Sequence, residues 1–208
     1  MITKYIKSPT YKEENTLYWG IHHTGGILSN PFASTKHLIA GAVNTAHQQR
    51  WNFRSSLGYF AGYTFYIDYW GNLTQFRAIG EETAAQKGWN FNGLVISICF
   101  AGNFNKLNGK MVDTPSAEQI ASFRRLANKL PRVKFQNIKP HWFFNQTECW
   151  GSGLPENWAR GLVPELDERN NLQIILNSIQ EQINQIMRLL KIMKLGGSLP
   201  KCEDSARG

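Results

Sequence analysis

Histidine and cysteine residues at three places in the chain are its best candidates for metal chemistry. The pair His22 and His23 ends an apolar segment, His141 follows Pro140, and Cys149 lies eight residues after His141. Zinc binds neutral imidazole and thiolate, and a hydrolytic zinc site uses three protein ligands and leaves the fourth tetrahedral position to water. The pattern therefore predicts a zinc site formed by one histidine of the pair, His141 and Cys149.

Spacing alone also fits a second interpretation, in which these residues are structural and satisfy their hydrogen bonds within the fold. The two remaining histidines, His37 and His47, lie ten residues apart on a predicted helix. We expect both on the solvent-exposed face of that helix, because its apolar positions fall on the other side. By itself, spacing leaves the metal site and the structural interpretation open.

Strands and helices that alternate along the chain must position these residues. Strands are predicted at residues 17–21, 59–67, 73–78 and 94–100, and helices at 34–50 and 116–130. The continuous apolar run at 94–100 is typical of a central strand that is buried on both faces, and Ser116 fits a helix N-cap. The alternation predicts an α/β domain with a central mixed β-sheet flanked by helices.

The composition changes after Pro164, so we expect one α/β domain at residues 1–165, with its core at about 16–155. A C-terminal amphipathic helix is predicted at 166–196 and a flexible tail at 197–208. Apolar residues in the helix follow alternating spacings of four and three, which is a heptad pattern: Leu172, Leu176, Ile179, Ile183, Ile186, Leu190 and Met193.

Three interpretations of this helix stay open. It can pack on its own domain, or it can form a homo-oligomeric coiled coil, where isoleucine at the d positions favours a trimer or tetramer. It can also lie on a membrane surface, because Arg188, Lys191 and Lys194 make one end basic.

The charge and composition restrict the classes of partner and compartment. The 208 residues carry a net charge of +8, which favours an anionic partner or serves solubility alone. We expect no nucleic-acid partner, since no basic run interleaved with aromatic residues occurs. Three cysteines do not make a disulfide framework. The N-terminus has no secretory signal and no apolar run approaches roughly 18 residues, so we expect folding in a cytoplasm.

Five segments, in order, resemble the motif blocks of the type-2 N-acetylmuramoyl-L-alanine amidases. That family includes phage amidase-type lysozymes and animal peptidoglycan recognition proteins. The segments cover about residues 16–155 and are IHHTGG at 21–26, GYTFYID at 62–68 with Gly71 and Arg77 after it, KGWN at 87–90, VISICFAGNF at 95–104, and PH at 140–141 with TEC at 147–149.

The resemblance implies one zinc ion per chain, with His22, His141 and Cys149 as its ligands. It makes His23 a packing or hydrogen-bonding residue behind the metal. Tyr63 matches the tyrosine near the reacting carbonyl, where a hydroxyl can donate to the oxyanion; a core aromatic role is its alternative. Thr147 stands where members carry lysine or threonine, and either a catalytic or a loop-ordering role fits it.

Three residues depart from the family pattern without removing a metal ligand. Thr64 and Ala85 stand where histidine is usual, and Trp150 replaces the proline after the zinc cysteine. These changes affect how the substrate is held. Ser97 stands where some branches have a glutamate base, which places the chain with the branch that uses tyrosine and leaves no separate general base to name.

The resemblance implies zinc-dependent hydrolysis of the amide bond between N-acetylmuramic acid and L-alanine in bacterial peptidoglycan. It further implies a phage or prophage endolysin that is kept in the host cytoplasm and acts on the cell wall after release. The alternative is a non-catalytic domain that binds peptidoglycan. Relatives without activity typically lack the zinc cysteine, so the presence of Cys149 favours the enzyme.

Overall fold

The computed structural model describes residues 5–25, 27, 30–83, 91, 93–145, 147, 149, 151–163, 176–187 and 190. The chain divides into two compact units, Met1–Pro164 and Glu165–Gly208. The predicted segment 87–90, Ala85 and Trp150 lie outside the described residues. None of the described helices has the length and hydropathy required to span a lipid bilayer.

A five-stranded mixed sheet forms the centre of the first unit, as predicted. Its strands are β1 (Tyr18–His23), β2 (Phe65–Ile67), β3 (Leu73–Gln75), β4 (Val95–Phe100) and β7 (Ile138–Pro140), in the order β3-β2-β4-β1-β7. β2 and β3 pair antiparallel as a hairpin, and the other neighbours pair parallel. A separate hairpin joins β5 (Lys106–Leu107) to β6 (Lys110–Met111).

Strand β4 lies in the middle of the sheet and is buried along its whole length. The continuous apolar run at 94–100 predicted this, because a parallel strand covered on both faces needs no polar face. β4 pairs with β1 in a register that sets His22 opposite Cys99. The register therefore places a candidate metal ligand beside this fully buried strand.

Three helices accompany the sheet: α1 (Ala40–Trp51), α2 (Ala117–Ala127) and α3 (Trp158–Gly161). Ser116 caps α2 as predicted, because its hydroxyl accepts from the N–H of Gln119 and the Gln119 side chain accepts from the N–H of Ser116. Phe123 of α2 contacts Phe100 of β4, with 5.5 Å between ring centroids. This face of α2 thus helps to cover the sheet.

The strand predicted at 73–78 ends at Gln75 and the helix predicted at 116–130 ends at Ala127. Two other elements differ more from their predicted bounds. The strand at 59–67 is regular only from Phe65, because the N–H groups of Phe60 and Ala61 donate to the Asn44 side chain and that of Gly62 donates to His47. These donors are used by α1 and not by a neighbouring strand.

The helix predicted at 34–50 begins at Ala40. Thr35 ahead of it donates its N–H to the carboxylate of Asp113, and Leu38 donates to the Thr35 carbonyl in a turn. Ile39 has an extended backbone. Residues 34–39 are thus held by the loop that contains Asp113, and the helical pattern of the sequence is overridden there.

The second unit contains the predicted C-terminal helix, α4, at residues 176–187, and residue 190 is also helical. The apolar side chains of its heptad pattern are 46–57% exposed: Leu176, Ile179, Ile183, Ile186 and Leu190. Leu172, Met193, the basic residues 188, 191 and 194, and the predicted tail at 197–208 lie outside the described residues.

Candidate metal centre

Two neighbouring strands and one loop bring together the three predicted metal ligands. His22 lies near the end of β1, and His141 directly follows β7, which pairs parallel with β1. The carboxyl ends of parallel neighbours meet at the same edge of a sheet, which is where α/β proteins commonly place their ligands. Cys149 approaches the same edge from the loop after His141.

The geometry of the group suits a single metal ion. One ligand atom from each of His22, His141 and Cys149 lies within 4.8 Å of the other two. The Cys149 Sγ atom is 3.9 Å from Nδ1 of His22, and the two imidazole rings are 4.3 Å apart. Tetrahedral zinc with bonds of about 2.0–2.3 Å sets such atoms roughly 3.3–3.7 Å apart. The donor set therefore fits zinc after small side-chain shifts.

Burial keeps the His22 imidazole in the neutral form that a metal ion can bind. Its side chain is almost wholly buried, and this burial, followed by the effect of His141, holds the pKa of His22 well below its usual range. The imidazole is then neutral at neutral pH, so its nitrogen lone pair is available to a cation without loss of a proton.

His23 has the structural role that the resemblance implied. Successive residues of a strand point to opposite faces, so His23 turns away from the three-ligand group. Its Nδ1 accepts from the N–H of Phe104 at 3.0 Å, and its ring stacks on the Phe104 ring at 5.6 Å. Burial lowers the pKa of His23 to about 4, so the ring is a neutral acceptor behind the site.

Thr147 orders the loop that carries Cys149. Its hydroxyl accepts from the Cys149 N–H at 3.1 Å, which fixes the backbone two residues further on. This bond matches the loop-ordering role left open by the sequence. A contact between Thr147 and substrate stays a prediction.

Tyr63 lies beside the candidate ligands, with its ring 5.2 Å from that of His22. The side chain is 8% exposed and packs in the same buried cluster as Cys99. Burial raises the pKa of Tyr63 well above its usual value, so the phenol keeps its proton and can act as a donor. The oxyanion role of Tyr63 stays a prediction.

His47 corrects the sequence analysis, because it is 3% exposed instead of solvated. Its Nδ1 accepts from the N–H of Gly62 at 2.9 Å, and its ring is 5.2 Å from Tyr63. His47 thereby supports the segment that carries Tyr63. The sequence contained a signal for this burial, because Val43 lies one helical turn before His47 and on the same buried face of α1.

Cys99 is the second residue of this region that sequence reasoning left without a role. Burial raises the pKa of its thiol well above the usual range, so Cys99 stays protonated next to Tyr63. Cys149, in contrast, belongs to the group with two imidazoles. The β1–β4 register, with His22 opposite Cys99, is what brings this thiol to the site.

Comparison with known proteins identifies the family. The N-acetylmuramoyl-L-alanine amidase family, Amidase_2, matches residues 14–152, more than half of the chain. No protein with curated functional data matches significantly. Among solved structures, the endolysin N-acetylmuramoyl-L-alanine amidase LysCS from Clostridium intestinale URNW is 21% identical over 80% of this chain and 97% of that chain, with a TM-score of 0.48.

Animal proteins are similar at the level of the fold. Bumblebee PGRP-SA is 19% identical over 73% of this chain and 85% of its own, with a TM-score of 0.50. Human PGRP-IBETAC, solved in complex with glycosamyl muramyl pentapeptide, is 16% identical over 67% of this chain and 79% of its own, with a TM-score of 0.48. The family match over residues 14–152 encloses all three candidate ligands, and the chain belongs to the N-acetylmuramoyl-L-alanine amidase family, Amidase_2.

Proposed function

We propose that this chain is a zinc-dependent amidase that hydrolyses the bond between N-acetylmuramic acid and L-alanine in bacterial peptidoglycan. One observation carries the proposal: ligand atoms of His22, His141 and Cys149 converge within 4.8 Å inside the segment that matches the family. Two imidazoles and a thiolate are a donor set that zinc hydrolases use, and they leave one tetrahedral position for chemistry.

Each residue around the centre would have a separate role in the reaction. When bound, zinc would supply a Lewis acid that polarises a carbonyl group and acidifies water. His22, His141 and Cys149 would hold the ion, and Thr147 holds the backbone of Cys149 in place. The buried Tyr63 hydroxyl would donate to the carbonyl oxygen as negative charge develops on it, which is worth about 3 kcal/mol for one such donor.

The proposal extends to the origin of the enzyme. We place it with the endolysins of phages or prophages, kept in the host cytoplasm and acting on the cell wall after release. The competing function, a domain that binds peptidoglycan without cutting it, would not need a thiolate beside two histidines. The presence of Cys149 in the cluster therefore favours hydrolysis.

Product analysis tests the reaction directly. Incubation of purified peptidoglycan with the zinc-loaded protein should release stem peptides that begin with a free L-alanine amino group, measured by mass spectrometry. No new reducing sugar ends should form, because the glycan strand is not the bond attacked. Cleavage within the peptide or the glycan would contradict the proposal, and binding without any product would leave the recognition function.

We also propose that α4 joins copies of this chain into a trimer or tetramer. Its half-exposed apolar residues follow heptad a and d positions, with Leu176, Ile183 and Leu190 at a and Ile179 and Ile186 at d. The flanking e and g positions nearest the seam include Gln180 and Gln182, which are uncharged and so do not repel an identical helix. Isoleucine at d favours more than two strands.

Light scattering on the full chain checks this assembly. The parent protein should have three or four times the monomer mass. Ile183→Asp should return it to a monomer, because it would bury a charge in the seam. Gln185→Asp adds the same charge at the c position, outside the seam, and should leave the mass unchanged. A monomeric parent would favour packing on its own domain, and a monomer that binds anionic vesicles would favour the membrane surface.

A further inference from the structure

A cleft of about 490 Å³ opens between two aromatic side chains, Phe32 and Trp142. The rings are 48% and 44% exposed, so each presents much of its surface to solvent. The rest of the lining consists of Gly151, Leu154 and four polar residues: Asn105, Lys106, Ser152 and Glu156. Cavities of this size commonly bind small organic groups, with apolar walls for contact and a few polar groups for orientation.

The wall that carries Phe32 is fixed by buried hydrogen bonds. The side-chain amide of Asn103 donates to the carbonyl groups of Pro31, at 2.7 Å, and Ala33, at 3.0 Å. Asn103 itself is fully buried. The peptide groups on both sides of Phe32 are thus held by the interior of the domain, which makes its exposed ring a preformed surface.

The floor of the cleft depends on glycines that allow two backbone segments to touch. Gly153 donates its N–H to the Phe104 carbonyl at 2.9 Å. Gly151 has a φ of +94°, and a Cβ atom there would lie 2.5 Å from the Phe104 backbone. Beside them, the hydroxyl of Ser152 accepts from the Lys106 N–H at 3.0 Å. These contacts fix the backbone from which Gly151, Ser152 and Lys106 line the cleft.

The cleft adjoins the candidate metal centre through shared chain segments. Trp142 directly follows the predicted ligand His141, and Gly151 lies two residues after Cys149. Phe104, against which the floor packs, donates its N–H to His23 behind the site. A substrate held at the centre can therefore extend into the cleft.

We propose that this cleft binds a sugar ring of the glycan strand that flanks the scissile amide. The inference rests on the proposed amidase function. A pyranose ring has an apolar face of C–H groups that suits an aromatic surface, and its edge of hydroxyl and acetamido groups suits amide and hydroxyl partners. The Glu156 carboxylate is paired with Arg160 at 3.1 Å, and Lys106 can donate to a hydroxyl or acetamido oxygen of the sugar.

Binding energy from such a remote contact helps the reaction only for substrates that carry the extra sugar. Trp142→Ala and Phe32→Ala should each lower kcat/KM by about 10-fold on a muropeptide with two or more flanking sugars. On N-acetylmuramoyl-tripeptide, which has no flanking sugar, the change should stay below about 2-fold. Trp70→Ala is the matched control, because Trp70 is 52% exposed but lies in the β2–β3 turn, outside the cleft.

A binding measurement separates this inference from the amidase function. Calorimetric titration of the zinc-loaded protein with N,N′,N″-triacetylchitotriose should show binding. Phe32→Ala and Trp142→Ala should each raise the Kd about 10-fold, and Trp70→Ala should leave it unchanged. Zinc content is measured for each variant, so that a disturbed centre is recognised.

The outcomes are distinct. A parent protein that cleaves neither substrate contradicts the amidase function, and the titration then decides the cleft alone. If the parent protein cleaves both substrates, two results overturn the sugar site. Either the variants lose the same factor in kcat/KM on both substrates, or they lose none on either. Failure of the trisaccharide to bind the parent protein overturns it as well.

Discussion

Replacing Cys149 with serine should remove most of the bound zinc and lower amidase activity by about 10³-fold or more. The thiolate is one of three candidate ligands, and its Sγ lies 3.9 Å from the His22 imidazole. A serine hydroxyl keeps its proton at neutral pH, so the centre would lose an anionic ligand as well as a donor atom. Loss of metal assistance worth about 4 kcal/mol corresponds to this factor.

Metal analysis and kinetics on the same preparations measure both effects. The parent protein should bind about one zinc ion per chain, lose activity to a strong chelator and recover it when zinc returns. Cys99→Ser provides a matched control for zinc content, since Cys99 is a buried thiol outside the three-ligand group. Full activity in a metal-free preparation, or normal zinc content in the Cys149 variant, would refute the zinc assignment.

Local patterns predicted the parts of the fold whose stability is decided locally or by burial alone. The continuous apolar run at 94–100 predicted the central strand β4, and Ser116 predicted the start of α2. Residue chemistry and the family resemblance selected His22, His141 and Cys149, and the structure places these three together. These three residues could be selected without knowing which distant strands pair, because imidazole and thiolate side chains are uncommon and chemically distinctive.

Other features depend on contacts between distant parts of the chain, which local patterns do not contain. The segment at 59–64 has a strand-like composition, yet the N–H groups of residues 60–62 are bound by Asn44 and His47 of α1. The burial of His47 follows from the same contact. The cleft between Phe32 and Trp142 joins residues more than a hundred positions apart, so only the folded chain brings its two rings together.

Tyr63→Phe should lower kcat by about 10²-fold and leave the zinc content unchanged. The substitution removes only the hydroxyl, and the ring can keep its contacts of 5.2 Å with both His22 and His47. If the hydroxyl donates to the oxyanion, its loss acts on the transition state and should appear in kcat more than in KM. The ring is packed in a buried cluster that includes Cys99, so little movement of the side chain precedes donation.

Tyr66→Phe distinguishes a catalytic hydroxyl from one that only stabilises the fold. Tyr66 is equally buried, three residues further on, and its hydroxyl donates to the Leu38 carbonyl at 2.7 Å. Its removal should cost about 1 kcal/mol in the free energy of unfolding and leave kcat near the parent value. Thermal unfolding and steady-state kinetics on both variants give the comparison. If Tyr63→Phe is as active as the parent, or if both variants lose stability and activity alike, Tyr63 is a core aromatic residue and the oxyanion donor must lie elsewhere.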